Sequence, residues 1–235
     1  MEKYFDLTYL WESFPLLLPY IQITFIVTIL SVLCGSLLGL LLTMMKLGKS
    51  KLARSLANIY TTIMRCTPSI VLLFLVYYGI PAIGSNFGFN LNDVDKIIFI
   101  VITFSLQFGA IMSEVIRSAY QSINKGQYEA GVSVGLTNLQ VFSRIIVPQA
   151  FVVALPNFGN GLLELIKEGS LAYTIGLIDV MGKAQLIIDG RFNAHALETY
   201  LALSIIYWVL SIIIEQTFLK LEKVFSKGKQ VIKTT

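Results

Sequence analysis

The sequence predicts an all-α membrane protein with five transmembrane helices, its N-terminus outside and its C-terminus in the cytoplasm. Three observations carry this. Of 235 residues, 55% are hydrophobic and only 14% charged, with a mean hydropathy of +0.73, too apolar for a soluble domain of this length. Crossing ~30 Å of hydrocarbon takes about 20 apolar residues of helix. Uncharged stretches of that order occupy residues 14–45, 66–92 and 145–163, and two shorter ones, 97–113 and 199–214, extend as apolar helix past one charge. Finally, Lys and Arg are unevenly spread, and cytoplasmic loops carry the excess of positive residues. Lys46, Lys49, Lys51, Arg54, Arg117, Lys125, Arg144, Lys220, Lys223, Lys227, Lys229 and Lys233 flank one set of span ends, against Lys3, Lys96, Lys167, Lys183 and Arg191 at the other, with Arg65 at the start of span two.

A single membrane domain, 1–235, follows, with no soluble domain. Residues 1–18 carry Tyr4, Phe5, Tyr9, Trp11 and Phe14 among a few acids, the pattern of an interfacial helix. The acidic start, Glu2, Asp6 and Glu12 against Lys3, and the long uncharged run behind it do not fit a cleaved signal peptide. Pro15 and Pro19 mark the turn into span one, 19–45, where Gly35 and Gly39 form a GxxxG that suits either packing within the subunit or a subunit interface. Span two, 60–81, has Pro68 near its start, as in a first helical turn. Span three, 97–119, ends with Glu114 and Arg117 three residues apart, a structural pair at the cytoplasmic mouth. Residues 121–148 form a polar, glycine-marked cytoplasmic loop. Span four, 149–167, meets Pro156, Gly159 and Gly161, which can interrupt a membrane helix. Residues 178–197 face outwards as short helices and loops, and span five, 197–219, runs into a basic tail that reads as an orientation and lipid-headgroup signal.

The loop 129–148, EAGVSVGLTNLQVFSRIIVP, has the make-up of a rigid protruding element. Glu129 can begin a helix, where a negative residue meets the positive end of the dipole. Ala130, Gly131 and Gly135 keep one face flat for a partner's backbone, Leu136, Leu139, Val141 and Phe142 supply an apolar face, and Pro148 admits the chain to the next span. An ordinary amphipathic interfacial helix would have the same composition. Spacing separates the two: Glu129, Ala130, Gly135, Ile145 and Pro148 fall at the positions of the EAA loop of ABC importer membrane subunits, with Gly131 for the third Ala and Val147 for the Leu. The flanks narrow the resemblance. Arg65, Thr67 and Pro68, the run Leu72 to Pro81, Glu114 with Arg117, residues 122–127 (SINKGQ) and residues 167–177 resemble the polar amino acid uptake branch of ABC type I importer permeases.

That resemblance implies a non-hydrolytic permease subunit of an ATP-driven importer in the bacterial cell membrane, carrying a polar amino acid of the glutamine, arginine, histidine or cystine class. It implies as partners two cytoplasmic ABC ATPase subunits, a second permease subunit, identical or related, and an extracytoplasmic amino acid-binding protein, besides membrane lipid. Docking of the ATPase would fall to Glu129, Ala130, Gly131, Gly135, Leu136, Ile145 and Pro148.

The residues themselves bound the chemistry. Gly48-Lys49-Ser50 imitates the end of a Walker A motif, but Thr43 stands where the motif needs Gly, so the chain binds no cofactor of its own and ATP and Mg are used by the partner. His195 has no second His at ligand spacing, which argues against a metal, and Cys34 and Cys66 read as small apolar filler. Nothing interleaves the basic residues with stacking aromatics, so nucleic acid is not a partner. Charges at membrane depth are presumed functional until paired. Glu164, Lys167 and Glu168 can therefore line the substrate pathway, with Lys167 taking an amino acid's carboxylate and a glutamate its ammonium, or can simply pair with one another. A secondary transporter would need inverted repeats and buried ion ligands, and a membrane enzyme a nucleophile-base pair or metal cluster. Neither is evident.

Overall fold

In the computed structural model, residues 5–226 are described, and all their regular structure is helical. In order come α1 (Leu7–Leu17), a 3-10 turn (Leu18–Tyr20), α2 (Ile21–Leu47), α3 (Lys51–Cys66), α4 (Ser69–Asn86), α5 (Lys96–Gln121), α6 (Lys125–Ser133), α7 (Asn138–Val141), a π-helical turn (Phe142–Ile146), α8 (Val147–Gly169), a 3-10 turn (Ser170–Ile175), α9 (Val180–Gly190) and α10 (Ala196–Phe225). Five stretches are long and apolar enough to cross a membrane: Leu7–Leu47, Ser69–Asn86, Lys96–Gln121, Asn138–Ile175 and Ala196–Phe225. Of the basic tail, Lys220 and Lys223 belong to α10, while Lys227, Lys229 and Lys233 lie outside the described residues, as do Glu2, Lys3 and Tyr4.

Several boundaries differ from the sequence expectation, each for a local reason. Span two starts at Ser69 and not near residue 60. Proline drives the residue before it out of the helical region, and Thr67 and Pro68 are both extended, with ψ of 125° and 137°. Residues 51–66 are instead a separate amphipathic helix: Ala57 and Thr61 are buried, whereas Leu52, Leu56, Ile59 and Ile63 form an exposed stripe. At the N-terminus, α1 runs through Pro15, capped by Asp6, whose carboxylate accepts from the Thr8 N–H at 2.8 Å. Only Pro19 falls in the 3-10 turn that joins α1 to α2. Span four is not interrupted, because α8 passes Pro156 unbroken and its two glycines serve close contact with Phe218 and Met112. Cys34 and Cys66 are exposed on the surface of the chain and so do not fill its interior.

The fold is organised around α5. It buries Ile100, Phe104, Phe108 and Met112, which pack with Val27 of α2, Leu73 of α4 and Leu165 of α8. The glycines of α2 set how closely α5 approaches: a Cβ on Gly35 would lie 3.0 Å from the Phe108 side chain, and one on Gly39 2.8 Å from the Met112 Cβ. The GxxxG thus joins two helices of the same subunit. Gly39→Val should overpack this seam by about 1–3 kcal/mol and lower the thermal midpoint of the purified protein by about 5 °C. A normal midpoint would mean that the helices can separate freely. A second cluster seats α1 on α9 and α10 through Leu10, Leu17, Val180, Ala184, Ala202, Leu203 and Ile206.

Candidate functional site

Two regions concentrate features that packing alone does not explain. The first is the segment between α5 and α8. Asn124, and not Glu129, caps α6, its side-chain oxygen accepting from the Gly126 N–H at 2.8 Å, so Glu129 lies mid-helix. The helix ends in a left-handed turn at Gly135 (φ 86°), where the Gly135 N–H donates to the Val132 carbonyl and the Leu136 N–H to the Gly131 carbonyl. This pattern satisfies the last carbonyls of a helix and favours glycine, which reaches the left-handed conformation without strain. Thr137 and Gln140 then form a reciprocal capping box that starts α7, and the chain passes through the π-helical turn into α8 with Pro148 in its first turn.

Gly131 faces inward, contrary to the flat outward face expected for it. A Cβ there would lie 2.7 Å from Val141 and 3.1 Å from Ile145, which closes α6 against the returning arm. Val141 is fully buried by this contact and leaves the apolar face. Gly131 and Ile145 therefore shape the element, and Gly135 turns it. What the element presents outward is different: Glu129 and Ala130 are exposed, and so are Tyr128, Val132, Val134, Leu139 and Phe142. Val134 and Leu139 are 78% and 74% exposed. Leu136 is half-buried. The capped turn thus holds these apolar side chains out in solvent.

The second region lies where α3 breaks from α4, beside the end of α8. Glu164 and Lys167 are exposed and Glu168 half-buried, all three on one face of α8. Among the described residues none of the three forms an ion pair, so mutual neutralisation is not what holds them. Glu168 neighbours Ser69, the first residue of α4. The Ser69 hydroxyl accepts from Gln107 Nε2 at 3.0 Å, and the Gln107 Oε1 is buried without a partner. Gln107 and Ser69 are the site residues the sequence reading passed over. Their signal was a carboxamide in the middle of an apolar span and a serine directly after an extended Thr-Pro pair.

Glu114 and Arg117 do meet, the guanidinium reaching Glu114 Oε2 at 2.6 Å, but they belong to a larger group. Lys46 of α2, its side chain only 1% exposed, bonds Glu114 Oε1 at 2.6 Å and Ser113 Oγ at 2.7 Å. The Gly48-Lys49-Ser50 segment is the turn between α2 and α3, with Ser50 capping α3 through the Ala53 N–H. His195 stacks on Tyr9, ring centroids 3.6 Å apart. Among the described residues no group of three His, Cys, Asp or Glu could hold a metal ion.

Comparison with known proteins gives this geometry its context. Residues 31–223 match the family described as binding-protein-dependent transport system inner membrane component. The chain is similar to the L-cystine transport system permease protein TcyL of Bacillus subtilis (strain 168), 38% identical over 234 residues that cover 100% of this chain and 97% of that protein. It is also similar to the putative glutamine transport system permease protein GlnP of Rickettsia prowazekii (strain Madrid E), 34% identical over 80% of this chain and 84% of that one. Among solved structures, the crystal structure of an amino acid ABC transporter with histidines superposes with a TM-score of 0.79 at 29% identity, covering 95% of this chain and 99% of its counterpart.

Proposed function

The chain belongs to the family of binding-protein-dependent transport inner membrane components and is the permease subunit of an ABC amino acid importer, and we propose that two permease subunits, identical or related, form its pathway and move a polar amino acid of the cystine, glutamine or histidine type. Membership in an ABC, binding-protein-dependent system implies an ATPase and a binding protein as partners. On our reading there are two ATPase subunits, which bind and hydrolyse ATP with Mg, and they grip the segment 125–148 from the cytoplasm. The Lys and Arg distribution supports that orientation, with the N-terminus outside.

The observation that carries the coupling role is the capped turn at Gly135, which holds Val134 and Leu139 exposed. ATP binding would draw two such elements together and tilt the spans; hydrolysis and release would let them part. Each ligand acts by favouring one of two arrangements of the membrane helices. For the solute, Lys167 supplies a cation for the carboxylate, and Glu164 or Glu168 an anion for the ammonium. The absence of an ion pair among them supports this reading.

The test is reconstitution of the permease with its ATPase and binding protein in proteoliposomes, with ATP hydrolysis measured for cystine, glutamine, arginine and histidine in turn. One of these should stimulate hydrolysis. Lys167→Met should weaken stimulation at least tenfold, in line with the roughly 1.5–3 kcal/mol of a hydrogen bond to a charged group, while Lys167→Arg retains most of it. If no amino acid stimulates an otherwise coupled complex, the substrate class is wrong.

A further inference from the structure

We propose that the ends of α2, α3 and α5 form a binding site for one anionic phospholipid, its phosphate held by Arg54 and Arg117 beside the buried charge of Lys46, and its acyl chain lying in the groove between α2, α5, α8 and α10. Two adjoining cavities suggest it. The first, of about 470 Å³, is polar and lined by Lys46, Leu47, Arg54, Asn58, Glu114, Arg117 and Gln121. Three cations there face a single carboxylate, a surplus of two positive charges that nothing in the described chain balances. Arg54 donates through Nε to the Lys46 carbonyl and through Nη2 to the Gly48 carbonyl, at 3.1 and 2.8 Å, which anchors it while its Nη1 makes no hydrogen bond among the described residues. Lys46 has two of its three protons committed, to Ser113 and Glu114.

The second cavity, of about 790 Å³, shares Leu47 as a wall and is lined almost wholly by apolar side chains, among them Met44, Met112, Phe151, Phe158 and Phe218. A cationic pocket that meets an apolar groove at Leu47, near the end of membrane spans, offers surfaces for the two halves of one lipid molecule. The helix beside it points the same way. The exposed stripe of α3, Leu52, Leu56, Ile59 and Ile63, has no partner among the described residues, and an amphipathic helix of this kind lies in the headgroup boundary with its apolar face in lipid. That would bring headgroups level with Arg54. Basic pockets between spans on the cytoplasmic side are sites where anionic headgroups bind. A second copy of the chain would fill the groove but leave the two charges unbalanced, so lipid is the occupant we argue for. The proposal is independent of which solute is carried.

Native mass spectrometry of the purified permease–ATPase complex tests it, with phosphatidylglycerol and phosphatidylcholine titrated in turn. Phosphatidylglycerol should be retained preferentially. Arg54→Gln, which leaves the Lys46–Glu114 bond in place, should weaken its retention about fivefold and leave phosphatidylcholine unchanged. Ala154→Phe, which fills the groove, should weaken both lipids. Three results would overturn the proposal. Equal retention of the two lipids by the unaltered complex would show no headgroup selection. Inorganic phosphate competing fully for the site would show that a free anion suffices. Loss of the ATPase from Arg54→Gln with phosphatidylglycerol retention intact would make the pocket a protein contact.

Discussion

Gly135→Arg is expected to insert and fold but to lose the ATPase, with co-purification reduced at least tenfold and solute-driven ATP hydrolysis falling with it. Gly135 sits at φ 86°, and nothing lies within 4 Å of where its Cβ would be. A side chain therefore meets no steric barrier inside the chain, and its cost is conformational, about 1–2 kcal/mol for forcing an L-residue into the left-handed region. The cheapest escape is to open the turn. That releases the two hydrogen bonds from Gly135 and Leu136 to the end of α6 and swings Val134 and Leu139 out of register. A tenfold loss corresponds to about 1.4 kcal/mol, which misplacing two exposed apolar side chains of an interface together can supply. Two controls make the reasoning testable. Gly135→Asn, a residue that tolerates the left-handed conformation, should keep most coupling, and Leu139→Asp should lose it with the turn intact. If Gly135→Asn fails as badly as Gly135→Arg, backbone conformation is not the reason for the glycine.

How much of this could be read in advance depended on whether a feature was local. A membrane helix satisfies its backbone within itself, so an apolar run of sufficient length is nearly enough to identify it, and five such runs were visible. The amphipathic α3 was not separated from the next span because its residues 59–66 run almost without charge into the apolar stretch, and only Thr67-Pro68 divides them. In the segment 125–148, the spacing of Glu129, Gly135 and Pro148 was legible but the structural duties were not. Gly131 is small because Val141, ten residues on, returns against it, and that needs the turn between them to be known. Lys46 looked like any other basic residue behind a span. Its burial follows from the close approach of α2 and α5, which Gly35 and Gly39 permit.

That burial leads to the second large effect. Glu114→Leu should destabilise the protein by about 3–5 kcal/mol, because it strands the Lys46 ammonium without its carboxylate in a place where the side chain is 1% exposed. The reverse change is not its equal. Lys46→Met leaves Glu114 with the Arg117 guanidinium, whose Nε and Nη2 both donate to Glu114 Oε2, and with partial access to water, so about 1 kcal/mol is expected. The double variant Lys46→Met/Glu114→Leu should regain most of what Glu114→Leu loses, since a buried pair replaced by apolar side chains is often near neutral. Thermal unfolding of the three variants in one detergent measures the asymmetry; equal and additive losses would show that the two residues do not act as a pair. The double variant also separates stability from coupling. Four residues beyond Gln121 the chain enters α6, so the helix that Lys46 ties to α2 also leads into the segment proposed to meet the ATPase. A double variant that folds normally should hydrolyse ATP with weaker dependence on solute, because the end of α5 can then shift against α2 without moving the span. Unchanged coupling in that variant would confine the Lys46–Glu114 pair to stability alone.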